Sequence, residues 1–198
     1  MKPIIVVDNN PGGGAEGLSK VLEKLSGLKV EKIHYQDPGL RKLYTLNPLC
    51  LVLSGSPVLF SLEGLRGFEE EIELIREFDG PILGICGGHQ LIGLAYHVKV
   101  VSAGEYFRGF YRKEVLKEDP IFEGLPKVIE VYESHKEKVE KPPEGFEVLV
   151  RSGRIEVEAF RHIRKPIYGV QFHPESYDEG HPHGRGILEN FLRLARNY

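Results

Sequence analysis

The sequence predicts an α/β protein: a single domain over residues 1–198, built on a mostly parallel open sheet with helices on both faces and small antiparallel elements added late in the chain. Three observations carry this. Short apolar runs alternate with stretches of helical spacing as far as residue 96. The runs are apolar at consecutive positions, the pattern of strands covered on both faces. No internal repeat or low-complexity linker divides the 198 residues, enough chain for one sizeable core.

Residues 3–8 (PIIVVD) form a short apolar run that ends in a turn, which predicts a buried strand. Residues 17–25 have helical spacing, with Leu18, Val21, Leu22 and Leu25 on one face. Residues 29–35 read as a second strand, and residues 50–53 as a third, closed by Ser54-Gly55-Ser56-Pro57. An amphipathic helix follows at 69–78, with Ile72, Ile75 and Phe78 inward and Glu69-Glu70-Glu71 as a solvated face. Residues 81–85 make a fourth strand, with a helix at 88–96 directly after it. From 98 to 161 the pattern changes to short alternating segments at 112–116, 128–131, 147–150 and 157–160, expected to be antiparallel. Residues 166–172 return to a core strand, and a helix at 187–195 closes the chain.

Hydrophobic residues make up 41% of the chain and charged residues 28%, with a net charge of −3 spread along it. This gives no support to a nucleic-acid or membrane-surface role. No apolar run approaches the ~20 residues of a membrane span, and residues 3–7 are too short for a signal-peptide core. A cytoplasmic protein is expected. Its two cysteines then read as thiols. Cys50, inside LCLVL, is expected to be inert core, and the lack of a CxxC pair argues against structural zinc.

Cys86 is different. It sits at the end of an apolar strand in LGICGGHQLIGL, followed at once by glycines. A strand that turns sharply into a helix at a nucleophile holds the side chain clear of the sheet edge. Glycines at 84 and 88 let strand and helix pass closely. The helix N-terminus then favours negative charge on the sulfur, and free N–H groups there, including that of Gly87, can face a developing oxyanion. A nucleophile needs a base, and the base an orienter. Residues 168–175 (YGVQFHPE) supply both: His173 ends a parallel strand at the edge where Cys86 emerges, Pro174 keeps it extended, and Glu175 can return to one imidazole nitrogen.

Together GICGGHQ, FHPE and the earlier SGSP resemble the class I (triad) glutamine amidotransferases, over nearly the whole chain and in the same order. Within that family PILGICGGHQ, ESHKEKV and PIYGVQFHPE are most similar to the separate glutaminase subunits of archaeal-type GMP synthetases. The resemblance implies a flavodoxin-like sheet and a Cys86–His173–Glu175 triad that hydrolyses L-glutamine through a glutamyl thioester. It implies an oxyanion hole from the Gly55-Ser56 turn and Gly87, and a grip on the amino-acid end of glutamine from Gln90 and the Ser134-His135 backbone. It implies no cofactor and no metal. Ammonia would pass to a separate ATP-dependent synthetase subunit, with GMP synthesis from XMP as the expected use, since the chain carries no SGGxDS loop of its own. A free-standing γ-glutamyl hydrolase with the same triad is the alternative. The sequence departs from the family pattern at Ser56, where a second glycine is usual, at Gly87, where a bulkier residue is usual, and at Glu137, where aspartate is common. A side chain at 56 limits a peptide flip, so the free chain is expected to be slow until a partner rearranges this turn.

Two other patterns compete for attention. Gly12 to Gly17 match GxGxxG after a strand, with Asp37 twenty residues on, which is the dinucleotide fingerprint at face value. A proline and three residues separate Val7 from the first glycine and Asp8 sits beside it, so a flexible loop ahead of the first helix is preferred. His181 and His183 in GHPHG lack an acidic or cysteine partner at ligand spacing and read as an exposed loop.

Overall fold

The structure, a computed structural model, describes residues 2–198. The first strand, β1 (Ile4–Asp8), is buried at every position because successive residues enter two different cores. Ile4 and Val6 join one and Ile5 and Val7 the other. Helix α1 (Glu16–Ser26) buries Leu18 and Leu22 and ends on Gly27 in the left-handed conformation. β2 (Val30–His34) follows; a short α2 (Leu43–Leu46) precedes β3 (Cys50–Leu53). After the one-turn α3 (Phe60–Glu63), α4 (Glu69–Glu77) buries Ile72, Leu74 and Ile75. Next come β4 (Ile82–Ile85), α5 (Gly87–Ala95), β5 (Val100–Val115), β6 (Val128–Val139), β7 (Phe146–Arg151), β8 (Ala159–His162), β9 (Ile167–Val170) and α6 (His183–Asn197).

The nine strands form one sheet in the order β2-β1-β3-β4-β9-β8-β7-β5-β6. The first five are mutually parallel and carry the expected α/β wind. Leu18, Leu22, Ile187 and Phe191 from α1 and α6 cover one face, and Ile72, Ile75, Leu91 and Ile92 from α4 and α5 the other. The order reverses between β1 and β3, the kind of switch point beside which sheets of this class hold their ligands. Among the described residues no helix is long and apolar enough to cross a membrane.

The antiparallel strands pair within the same sheet, and two of them are longer than their sequence pattern indicates. The expected 112–116 and 128–131 segments are one end of a hairpin between β5 and β6, and the 157–160 segment lies two residues later, as β8. The reason is visible in β6. Its inward positions are Ile129, Val131, Glu133, His135, Glu137 and Val139, all buried. Three of the six are ionisable, so apolar alternation stops at Val131 although the strand does not. The charges are paired: Lys113 Nζ of β5 lies 2.5 Å from Glu133 and 2.6 Å from Glu158.

Glu71 is a second buried carboxyl group, fully enclosed on the inner side of α4. Burial pushes it up to about 8, and the single hydrogen bond from Asn9 Nδ2, at 3.1 Å, opposes this only in part. The folded chain therefore holds a proton that the unfolded chain releases near pH 4.5. Stability is lost as pH rises from about 4.5 to about 8. Glu71→Gln retains the acceptor for Asn9 without this linkage. It should change Tm little at pH 4.5 and raise it by at least about 3 °C at pH 8.5, measured by thermal melts across that range.

Candidate active site

Cys86 stands where β4 becomes α5, with φ 50° and ψ −100°. A left-handed φ on a non-glycine residue costs about 1–3 kcal/mol and persists only where its surroundings impose it. Here the Cys86 N–H donates to the Val170 carbonyl at 2.8 Å, and its carbonyl accepts from the Gln90 N–H at 3.1 Å. The approach of α5 to the sheet requires glycine. A Cβ on Gly84 would lie 2.6 Å from the Gly88 carbonyl carbon, and one on Gly88 would lie 2.4 Å from the Leu53 oxygen.

His173 follows β9 in the extended conformation that Pro174 favours. Its N–H donates to the Tyr132 carbonyl at 2.7 Å, an antiparallel bridge that brings β6 over the strand ends. Its Nδ1 lies 2.7 Å from Glu175 Oε1, which leaves Nε2 for the sulfur. Burial works against charge on this ring, but the Glu175 carboxylate and the Cys86 sulfur outweigh it and hold His173 well above its usual value. Gly55 borders both partners: a Cβ there would be 3.0 Å from His173 Cε1 and 3.7 Å from Cys86 Cβ.

Ser56 and Gly87, two departures from the family pattern, meet in space. A Cβ on residue 87 would fall 2.5 Å from Ser56 N and 2.7 Å from Ser56 Cβ. The room usually taken by a larger residue after the cysteine is occupied by the Ser56 side chain, so the elbow is filled rather than loosened.

A cleft of about 360 Å³ opens beside the sulfur, lined by Ser56, Cys86, Gln90, Tyr106, Ser134 and His135 among others. The Ser134 carbonyl is 3.9 Å from Cys86 Sγ. Gln90 Nε2 donates to the Glu137 carbonyl at 3.0 Å and to Gln171 Oε1 at 3.3 Å, so its amide oxygen is the atom left for a ligand. The His135 ring is held by the Glu137 carbonyl at 2.8 Å and by Glu133 at 3.3 Å. All nine residues singled out from the sequence therefore lie around one sulfur.

Two more join them. Gln171 is fully buried, and its Nε2 lies 3.8 Å from Cys86 Sγ. Its signal in the sequence was a polar residue inside the apolar run before FHPE. Tyr106, on a stretch of β5 with no strand-like pattern, has its hydroxyl 3.1 Å from Ser134 Oγ.

The glycine-rich loop after β1 has its amides occupied. Asp8 Oδ2 accepts from the N–H groups of Gly14 at 2.9 Å and Ala15 at 3.3 Å. Burial resists charge on Asp8, but these bonds and those from Asn10 lower it to about 2. A carboxylate fills the place a phosphate would need. Asp37 caps a turn through the Gly39 N–H. His181 pairs with Asp178 and stacks on Phe110, and His183 accepts from the Glu130 N–H. No group of three or more potential metal ligands converges among the described residues. Cys50 is fully buried in β3, and burial raises its thiol to about 12.

An elbow cysteine, an oriented histidine and a cleft at the sheet's carboxyl edge define a class. The chain belongs to the family Glutamine amidotransferase class-I, which it matches over residues 7–195. Among curated proteins it is 39% identical over 194 residues to the glutamine-hydrolyzing subunit of GMP synthase from Pyrococcus abyssi, covering 97% of this chain and 98% of that one. The protein of the same name from Methanosarcina barkeri is 46% identical over 197 residues, covering 98% and 97%. Among solved structures, a candidate GMP synthase subunit from Thermoplasma acidophilum superposes with a TM-score of 0.87 at 34% identity, covering 100% of this chain and 96% of that one.

Two outcomes test this geometry. Glu175→Gln removes the charge that raises His173, so the imidazolium should lose its proton at lower pH than in the native chain, as read by ring NMR titration. Gly87→Ala places a carbon against the backbone of Ser56 and should cost about 1–3 kcal/mol of stability by denaturant titration, with a larger proportional loss of glutamine turnover.

Proposed function

We propose that this chain is the glutaminase subunit of a two-subunit GMP synthase. Cys86 is its nucleophile, His173 its general acid and base, and Glu175 the orienter of His173. Cys86 Sγ attacks the side-chain amide carbon of L-glutamine, and the carbonyl π bond opens to an oxyanion between the N–H groups of Ser56 and Gly87. His173 gives its proton to the amide nitrogen, the C–N bond breaks, and ammonia leaves. Water then gives a proton to His173 as it attacks the thioester. The C–S bond breaks, releasing glutamate and the thiolate. Gln90 and the Ser134-His135 backbone bind the amino-acid end of glutamine. The ammonia passes to a separate ATP-dependent synthetase subunit that aminates XMP.

The observation that carries this reading is the contact set at one point: a strained Cys86, a charge-raised His173 and Glu175 at 2.7 Å from its ring. Relatives named as glutamine-hydrolyzing subunits of GMP synthase, matched end to end, support the choice of acceptor.

Mass spectrometry after treatment with 6-diazo-5-oxo-norleucine should give one label, mapped to Cys86 and blocked by glutamine. A label that glutamine cannot block would favour another γ-glutamyl substrate. Cys86→Ala should lower turnover by on the order of 10³ or more. His173→Ala should cost more than Glu175→Gln, because an orienter is partly replaced by water. In the presence of ATP, XMP and a synthetase subunit, ammonia formed from glutamine should appear in GMP; GMP formed only from added ammonium would reject the pairing.

A further inference from the structure

At the carboxyl edge of the sheet β3 stands between β1 and β4. The turn that leaves β3 therefore has the end of β1 on one side and Cys86 on the other. On the β1 side the carbonyl of Gly55 accepts from Ser54 Oγ at 2.9 Å and from Asn10 Nδ2 at 3.3 Å. Asn10 is itself fixed. Its Nδ2 and its N–H both donate to Asp8 Oδ1, at 3.1 and 3.2 Å. Asp8 in turn holds the Gly14 and Ala15 amides and lies 3.2 Å from Lys32 Nζ.

A trans peptide is planar, and its C=O and N–H point in opposite directions. With the Gly55 oxygen tied toward β1, the Ser56 N–H is turned toward β4, where Cys86 and Gly87 lie. The short approach of Ser56 N to the space above Gly87 agrees with this direction.

We propose that Asn10 is a positioning residue for the oxyanion hole. It clamps the Gly55–Ser56 peptide so that the Ser56 N–H faces the reacting carbonyl before glutamine arrives, and the Ser56 side chain seated over Gly87 keeps the peptide from turning back. The role rests on the glutaminase reading above. It replaces the expectation that this turn must be rearranged: the hole is present in the free chain. Donors fixed in advance require no reorganisation when the oxyanion forms, which is the condition under which such groups contribute most. The glycine-rich loop acquires a purpose as well, because its amides anchor the carboxylate that anchors the clamp.

The test uses the full chain and L-glutamate γ-semialdehyde. Its aldehyde carbon takes the Cys86 sulfur, the C=O π bond opens, and the resulting oxygen sits where the oxyanion forms. Iodoacetamide alkylation of Cys86, which creates no oxyanion, is the control. In Asn10→Ala, aldehyde binding and kcat should fall together by about tenfold or more, with KM for glutamine and the alkylation rate within about twofold of native. Asn10→Asp is the second variant: it fills the same space but has no N–H to offer Gly55, and the same loss is expected. Native-like aldehyde binding in both variants would overturn the proposal, as would a parallel fall in alkylation, which would make Asn10 merely structural. Failure of the aldehyde to bind the native free chain, with glutamine-protected labelling of Cys86 intact, would overturn the clamp and leave the glutaminase reading standing.

Discussion

The backbone reversal at Cys86 is the constraint on which the other parts depend. A parallel strand must stop, present one side chain and become a helix without a connecting loop. The strained φ is tolerable because β4 is held on both sides by neighbouring strands and because Val170 and Gln90 satisfy the two polar groups of the cysteine itself. Gly84 and Gly88 then let α5 lie closer to the sheet than any side chain would allow. Move α5 outward and three things fail together: the sulfur retreats from His173, the Gly87 N–H leaves Ser56, and Gln90 loses the Glu137 carbonyl.

Much of this was legible in the sequence, and the reason is that its requirements are local. Glycine beside a strand-end cysteine and proline after a strand-end histidine are demands made by the backbone at those positions. They need no knowledge of distant contacts. The parallel half of the sheet was legible for a similar reason, since residues such as Ile4 to Val7 must satisfy two cores at once and can only be apolar. The hairpin of β5 and β6 was not. Its inward face carries Glu133, His135 and Glu137, whose partners, among them Lys113 and Ser61, come from elsewhere in the chain. Polarity that is satisfied at long range looks like surface when read along the chain. The clamp on Gly55 was hidden in the same way, for Asn10 and Gly55 are 45 residues apart.

The buried charges under the cleft have a cost and a use. Burial resists ionisation of Glu133 and Glu158 alike. Lys113 and His135 hold Glu133 below the ordinary range, while burial and the Glu133 charge push Glu158 up to about 7. Such a cluster adds little net stability, yet removing one member leaves a stranded charge worth about 3–5 kcal/mol against the fold. Its use is orientation. Glu133 fixes the His135 ring, the Glu137 carbonyl fixes both His135 and Gln90, and Gln90 meets Gln171 behind the sulfur. One wall of the cleft is thus rigid because it is polar, where an apolar wall of the same shape would be free to repack.

The bridge between Tyr132 and His173 gives this rigidity a mechanical meaning. Two residues beyond Tyr132 on the same ribbon is Ser134, which forms the wall of the cleft. Recognition and proton transfer are therefore geared to a single strut: whatever grips the ribbon from within the cleft also loads the base. A drift in sequence that widens the cleft for a different ligand must also retune the timing of the proton, so selection cannot adjust preference and speed on this scaffold as separate dials.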